Sequence, residues 1–439
     1  MSKGLRALGV LALVLAAASG CGSGVGGLPR DTGVQDSERT IHYVSSMLET
    51  QGSARIIGEL ASEYGGKHPE VRYSFENVNT SDLLQKIQLL AASNDLPELF
   101  SFESGKPLEE LADHGFVVDL EQAFKELGLY DRLNPAAVKL LKSMVGGKGL
   151  YALPLEMNIE GFWYNKRIFE SCGLREPRTW TELMESADVL QRHGVQPFAL
   201  AGAEKWPITR LINGYVIRLY GSAIMQRVSR GEVRVTEPGF IEAAGVVQGM
   251  ALKGYLGDHV NTTDLNEAAA MFLNGKAAMF YSGSWSLRDF NDPTANAIGP
   301  KAIGLFNIPL VEGGAGTEED WLLHAGLTTS FSAAAYDDKM KGWMKSVFRD
   351  YGDRAIHEMG YLPGFKVDRM PDELPPLTKM VQQKIDGVKN GTLWFEALFD
   401  PEAQTVAWNN AQLLVSNEDF TPSMYMEELQ QVLDKQKKE

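Results

Sequence analysis

The chemistry of this sequence starts with flat rings and carboxylates in segments that hydrophobic periodicity leaves unassigned. The chain has eight tryptophans. Trp206 stands between Lys205 and Pro207, in a predicted loop opened by Gly202. Trp285 follows Gly283 and Ser284 just after a predicted strand. Trp321 and Trp394 fall in irregular stretches. Glu49, Glu103, Glu156 and Asn158 follow predicted strands or connections, and Tyr361 precedes Leu362 and Pro363. A ring face takes the apolar C–H surface of a ligand, and carboxylates and amides take its hydroxyls. Together they complement a polyhydroxylated molecule such as a sugar, with no metal or cofactor required. Trp163, in an apolar run, Trp180, at a helix start, and Trp343, on a buried stripe, are expected to be core instead. The histidines are widely scattered (His42, His68, His114, His193, His259, His324 and His357) and lack metal-ligand spacing.

Those groups need elements to hold them. Thr40 to Ser46 predicts a first strand. Ile56, Ile57, Leu60 and Tyr64 recur at helical spacing until Gly65, Gly66 and Pro69 break the pattern. Val71 to Phe75 alternates as a second strand. A helix capped by Thr80 or Ser81 carries Leu84, Ile87 and Ala91, and Leu96 to Phe102 predicts a third strand. Further on, Thr179 and Glu182 form a capping box ahead of Leu183, Ala187 and Leu190. Met340, Trp343, Met344, Val347, Phe348 and Tyr351 mark a helix that begins near Asp337. Strands alternating with helices predict parallel, doubly wound α/β sheets, whose ligands sit beyond the carboxyl ends of the strands. The length suggests two domains.

The N-terminus predicts export. Lys3 and Arg6 precede an uncharged apolar run from Ala7 to Ala18, too short to span a bilayer, and Ala18-Ser19-Gly20 leads into Cys21. This resembles the signal sequence and lipobox of bacterial lipoproteins. The resemblance implies cleavage after residue 20 and a lipid on Cys21, although Ala18 stands where leucine is usual. Residues 21–39 then read as a flexible tether. With Cys21 lipidated, Cys172 has no partner, so a disulfide framework is excluded. The net charge of −15 becomes −17 once Lys3 and Arg6 leave with the leader. That sign argues against nucleic acid as a partner.

Several motifs together resemble the family 1 extracellular solute-binding proteins, the group that contains the maltose-binding type. They are Gly149-Leu150-Tyr151-Ala152-Leu153-Pro154, Phe162-Trp163-Tyr164-Asn165-Lys166, Gly173-Leu174 with Thr179-Trp180, and Phe272 to Met279 followed by Gly283-Ser284-Trp285. Leu96-Pro97-Glu98-Leu99-Phe100 is a further match, with Glu98 where the family usually has aspartate. The resemblance implies a periplasmic-binding-protein-like fold of two α/β lobes with a cleft between them. Lobe one would hold 40–151 and 324–358, and lobe two 155–323 and 361–439. Ala302 to Leu310 would be a strand near a crossing. Trp206 and Trp285 would align with aromatic positions that stack on sugar. The implied protein is a monomer anchored by lipid to the outer face of the bacterial cytoplasmic membrane. It would hand a mono- or oligosaccharide to the permease subunits of an ABC importer. Two other readings stay open. One is a binder of another solute, such as a polyamine, an organic anion or a metal complex. The other is a secreted glycoside hydrolase using Glu156 and Glu160, whose closeness along one extended stretch disfavours a facing pair. No G-x-S-x-G, H-E-x-x-H or P-loop pattern occurs.

Overall fold

The computed structural model describes residues 38–102, 104–388 and 390–436. The leader, Cys21 and most of the tether lie outside the described residues, as does Glu103. Among the described residues, no helix is long and apolar enough to cross a membrane.

β1 (Arg39–Ser45) lies parallel to both β2 (Val71–Asn77) and β3 (Leu99–Ser101). β4 (Asn158–Asn165), β5 (Gln196–Ala199), β6 (Ala277–Gly283), β7 (Ile303–Phe306) and β8 (Asp320–His324) build a second sheet. β9 (Thr329–Phe331) returns to the first sheet, and β10 (Asn390–Thr392) joins the second. The strand orders are β2-β1-β3-β9 and β10-β8-β4-β6-β5, with β7 and β8 sharing one edge of β4. The fold is therefore two-lobed α/β, with helices flanking each sheet.

The sheets are mixed where alternation predicted parallel ones. β9 runs antiparallel to β3, and β4 antiparallel to β6, β7 and β8. The cause is the crossing. A strand that enters from the other lobe starts at the end of the sheet where the lobe's own strands finish. β4 and β9 are those entering strands. All eight residues of β4 are buried, as expected of a central strand covered on both faces.

Local signals explain the helices. In the helix Gly52–Gly65, Ile56, Ile57, Leu60, Ala61 and Tyr64 face inward. The helix Trp180–Arg192 starts where Thr179 Oγ1 accepts from the Glu182 amide at 3.1 Å. The reciprocal half of the box differs, because the Glu182 carboxylate takes the Arg178 amide at 2.6 Å. The helix Thr80–Ala92 begins one residue before the expected caps, at Asn79, without a side-chain bond. Asp337 caps the helix Asp338–Arg349, in which Trp343 is wholly buried.

Three stretches of chain meet between the sheets. The Leu153 amide donates to Thr329 O at 2.8 Å, and the Met157 amide to Leu362 O at 2.8 Å. The boundary read at 361 moves. The Asn134 amide bonds Gly364 O, the Lys366 amide bonds Arg132 O, and Phe365 stacks on Phe348 at 5.0–6.4 Å from its ring neighbours Tyr351, Phe348 and Phe124. Residues 364–369 thus pack on the first lobe. The chain joins the second only with the helix Pro376–Asp386, which meets β4 and the helix Leu287–Asn291. The lobes also touch where Gly105 passes Ala397. A Cβ at Gly105 would sit 2.5 Å from Ala397 O, and its φ of +132° independently favours glycine.

Candidate ligand-binding site

Register locates the site. Asn158 at the start of β4 faces His324 at the end of β8, and Glu160 faces Gly283 at the end of β6. β5 and β10 run parallel to β6 and β8, so their carboxyl ends lie at the same edge. In the first sheet, β1 and β3 finish where β9 begins. The carboxyl ends of both lobes' strands therefore point at the crossing, where α/β sheets take ligands.

An aromatic circuit lies on the second lobe's side. Trp206 meets Trp285 edge-on at 5.8 Å, and Trp285 meets His324 at 5.9 Å. His324 meets Trp394 at 4.9 Å. The Arg210 guanidinium closes the circuit, 5.4 Å from the Trp206 ring and 5.2 Å from that of Trp394. Trp206 and Trp285 keep part of their surface exposed, while Trp394 is buried.

A buried ion-pair network fixes the guanidinium. Arg210 Nε donates to Glu160 Oε2 at 3.1 Å, and Nη1 to Glu396 Oε1 at 2.8 Å. Tyr281 Oη completes Glu160 at 3.1 Å. Thr209 Oγ1 and Trp408 Nε1 complete Glu396 at 3.1 and 2.9 Å. Burial pushes the Glu160 carboxyl up against the pull of Arg210. Burial also opposes the charge on Arg210, but the two carboxylates more than offset it and raise its pKa. Such a network is costly to bury and rigid once satisfied. It holds Trp206 and Trp394 in place through the face of each ring.

A polar relay runs beside the rings. Asn158 Nδ2 donates to Glu156 Oε2 at 2.9 Å, and Ser284 Oγ donates to Asn158 Oδ1 at 2.7 Å. Burial raises the Glu156 pKa more than the Asn158 bond lowers it. Gly326 packs on this carboxylate: a Cβ there would lie 2.9 Å from Glu156 Cβ, and its φ is +70°. A Cβ on Gly52, the first residue of the helix after β1, would lie 3.7 Å from Glu156 Oε1. Tyr361, buried, shares a 2.9 Å bond with Tyr351 Oη beneath the first crossing, where Tyr351 also bonds Leu155 O.

The structure thus gathers Glu156, Asn158, Trp206, Trp285, Trp394 and Tyr361 around one junction. Two of these differ locally from expectation. Trp206 opens the helix Trp206–Tyr220 instead of lying in a loop, and Glu156 lies within the first crossing. Glu49 is exposed in the turn after β1. Trp321 is the clear displacement. It belongs to β8, three residues before His324 and on the opposite face, instead of to an irregular segment. It lines a separate groove of about 850 Å³ with Tyr164 and Phe306, and Lys384 Nζ lies 5.5 Å from its ring. Ala302 to Leu310 contributes β7 inside the second sheet, not at a crossing. Arg210, Glu396, Ser284 and His324 escaped the sequence reading. The only available signal was the spacing of Trp206 and Arg210, four apart on one helix face.

Residues 50–345 match the family model described as bacterial extracellular solute-binding protein. The chain belongs to that family. The match is to the family at large, without singling out the maltose-binding type. The multiple sugar-binding protein of Streptococcus mutans is 25% identical over 294 residues, 63% of this chain and 63% of that protein. An uncharacterised extracellular-binding protein of Pyrococcus horikoshii is 22% identical, over 58% of this chain and 57% of its own length. The chain therefore spans less than two-thirds of these curated relatives. Among solved structures, a chitin oligosaccharide binding protein superposes with a TM-score of 0.80 at 23% identity, covering 91% of this chain and 99% of the other. RafE in complex with raffinose gives 0.71 at 18% identity, over 91% and 99%. These likenesses establish the two-lobed fold. The family is one of solute-binding proteins.

Proposed function

We propose that this extracytoplasmic solute-binding protein captures a neutral sugar or oligosaccharide at the junction of its lobes and delivers it to the permease of an ABC importer. The observation that carries the reading is the aromatic circuit of Trp206, Trp285, His324 and Trp394 set beside the Glu156–Asn158–Ser284 relay. Rings for C–H faces and a carboxylate–amide pair for hydroxyls are what a sugar requires. The names of the streptococcal relative and of the chitin oligosaccharide and raffinose binders support the same ligand class. A lipid on Cys21 would hold the protein at the outer face of the cytoplasmic membrane, with residues 21–39 as the tether.

The other readings fit less well. The charge of Arg210 is already balanced by two buried carboxylates, Glu160 and Glu396, which disfavours an organic anion as its partner. Glu160 is wholly buried, and Arg210 and Tyr281 both bond its Oε2, which disfavours a hydrolase pair with Glu156. A thermal-shift screen of neutral oligosaccharides, polyamines and organic anions tests the reading, because a saturating ligand stabilises by RT ln(1 + [L]/Kd). A shift with oligosaccharides alone is expected. A shift confined to amines or anions would replace the sugar reading.

A further inference from the structure

His324 lies among the rings of the site, yet its sequence context does not mark it. It ends β8 opposite Asn158, and its ring stands between Trp285 and Trp394. One bond decides its chemistry. The Gly326 amide lies 2.9 Å from His324 Nδ1. A backbone N–H can only donate, so Nδ1 must accept and carry no proton. A ring with a bare Nδ1 and no net charge has its proton on Nε2. Burial, reinforced by the Arg210 guanidinium, holds the imidazole neutral, with its pKa pushed down to about 3. Nε2 has no hydrogen-bond partner among the described residues and keeps some contact with solvent.

We propose that His324 is a ligand-binding and specificity-determining residue, a neutral imidazole that directs a fixed Nε2–H donor at an oxygen of the bound sugar. The inference rests on the sugar reading above and makes it more specific. Glu156 presents an acceptor for a sugar hydroxyl, and His324 presents a donor. The pair requires a ligand that offers both functions close together, as a hydroxylated ring does. A polyamine, which is all donor at neutral pH, would leave the His324 donor unmatched. Gly326 builds both ends of the pair. Its amide sets the tautomer, and its missing Cβ makes room for Glu156, since a Cβ there would lie 3.0 Å from Glu156 Oε2.

Two substitutions separate the two ring nitrogens. His324→Asn keeps an acceptor near the Nδ1 position for Gly326 and removes the Nε2 donor. His324→Gln reaches the Nε2 position with an amide N–H. Wild type, both variants and Trp285→Ala are titrated by calorimetry with triacetylchitotriose and with raffinose, and heteronuclear NMR reads the His324 tautomer in the wild type at neutral pH. The expected results are an Nε2–H tautomer and a roughly tenfold loss of affinity in His324→Asn, the size of one neutral hydrogen bond. His324→Gln should recover part of that loss. Wild-type affinity in a folded His324→Asn, or an Nδ1–H or doubly protonated ring, would overturn the proposal while leaving the sugar reading intact, provided Trp285→Ala still weakens binding. A wild type that binds neither sugar but binds a polyamine would overturn both.

Discussion

Replacing Arg210 by methionine keeps most of the side-chain volume and removes the charge that two buried carboxylates share. Glu160 would keep only Tyr281, and Glu396 only Thr209 and Trp408. Breaking a buried ion pair from one side costs roughly 3–5 kcal/mol, because the abandoned charge stays buried. The contacts with Trp206 and Trp394 would each add about 0.5–2 kcal/mol if they were independent. They share one guanidinium, so the terms overlap and the total should stay near 4–5 kcal/mol. That is a large share of the 5–15 kcal/mol typical of a folded protein. Urea unfolding followed by circular dichroism measures it, with the midpoint read beside the slope. The triple variant Glu160→Gln, Arg210→Met, Glu396→Gln should regain part of the loss, since no buried charge is left unpaired. A loss below about 1 kcal/mol, or a triple variant no better than the single one, would refute the network as the support of the aromatic circuit.

Trp285→Ala should weaken sugar binding by about 2 kcal/mol or more, roughly thirtyfold, as for a hot-spot aromatic, while costing less stability than the 3–5 kcal/mol of a core truncation such as Trp163→Ala. Calorimetry beside urea midpoints checks this, and preserved affinity would remove Trp285 from the site. Acid should destabilise the protein through His324. Its folded-state pKa, near 3, lies below the usual 6.5, so its contribution is complete above pH 6.5 and is lost as pH falls toward 3, at up to about 1.4 kcal/mol per pH unit. The raised pKa values of Glu156 and Glu160 act in the opposite direction, so the comparison is between wild type and His324→Asn, whose stability should fall less between pH 7 and pH 5; parallel curves would contradict the assignment. Cys21→Ser should release the protein from membranes or leave it as uncleaved precursor, and fractionation showing a cleaved, membrane-bound Cys21→Ser form would rule out the lipid anchor.

Periodicity and caps carried most of the secondary structure. The first strand, the helices around Ile56 and Trp343, and the strand through Trp163 follow from residue pattern alone, because each buries a face its spacing defines. The position of Trp285 was legible because the strand ends at Gly283 and the chain turns at Ser284. Trp206 was misplaced although Pro207 beside it is a standard helix-start signal. Trp321 could not be separated from Trp394, since β8 owes its strand conformation to pairing with β4 and β10, which are remote in sequence. The same remoteness hid Arg210, Glu396 and Ser284, whose roles exist only through partners up to 187 residues away. His324 was hidden differently. Its tautomer depends on the turn that points the Gly326 amide, two residues on, back at Nδ1, and its role depends on the rings of Trp285 and Trp394 around it. The second-lobe boundary was read too early because Phe365 looks like any core aromatic until Phe124 and Phe348 are seen around it.

Calorimetric titration of the purified mature protein with a neutral oligosaccharide selected by the thermal screen tests the central claim most directly. The account predicts saturable one-to-one binding, a negative heat-capacity change from burial of the ring faces, and an unaltered sugar recovered afterwards. Absence of heat with every neutral sugar, alongside saturable binding of a polyamine or an organic anion, would contradict it, as would recovery of a cleaved sugar.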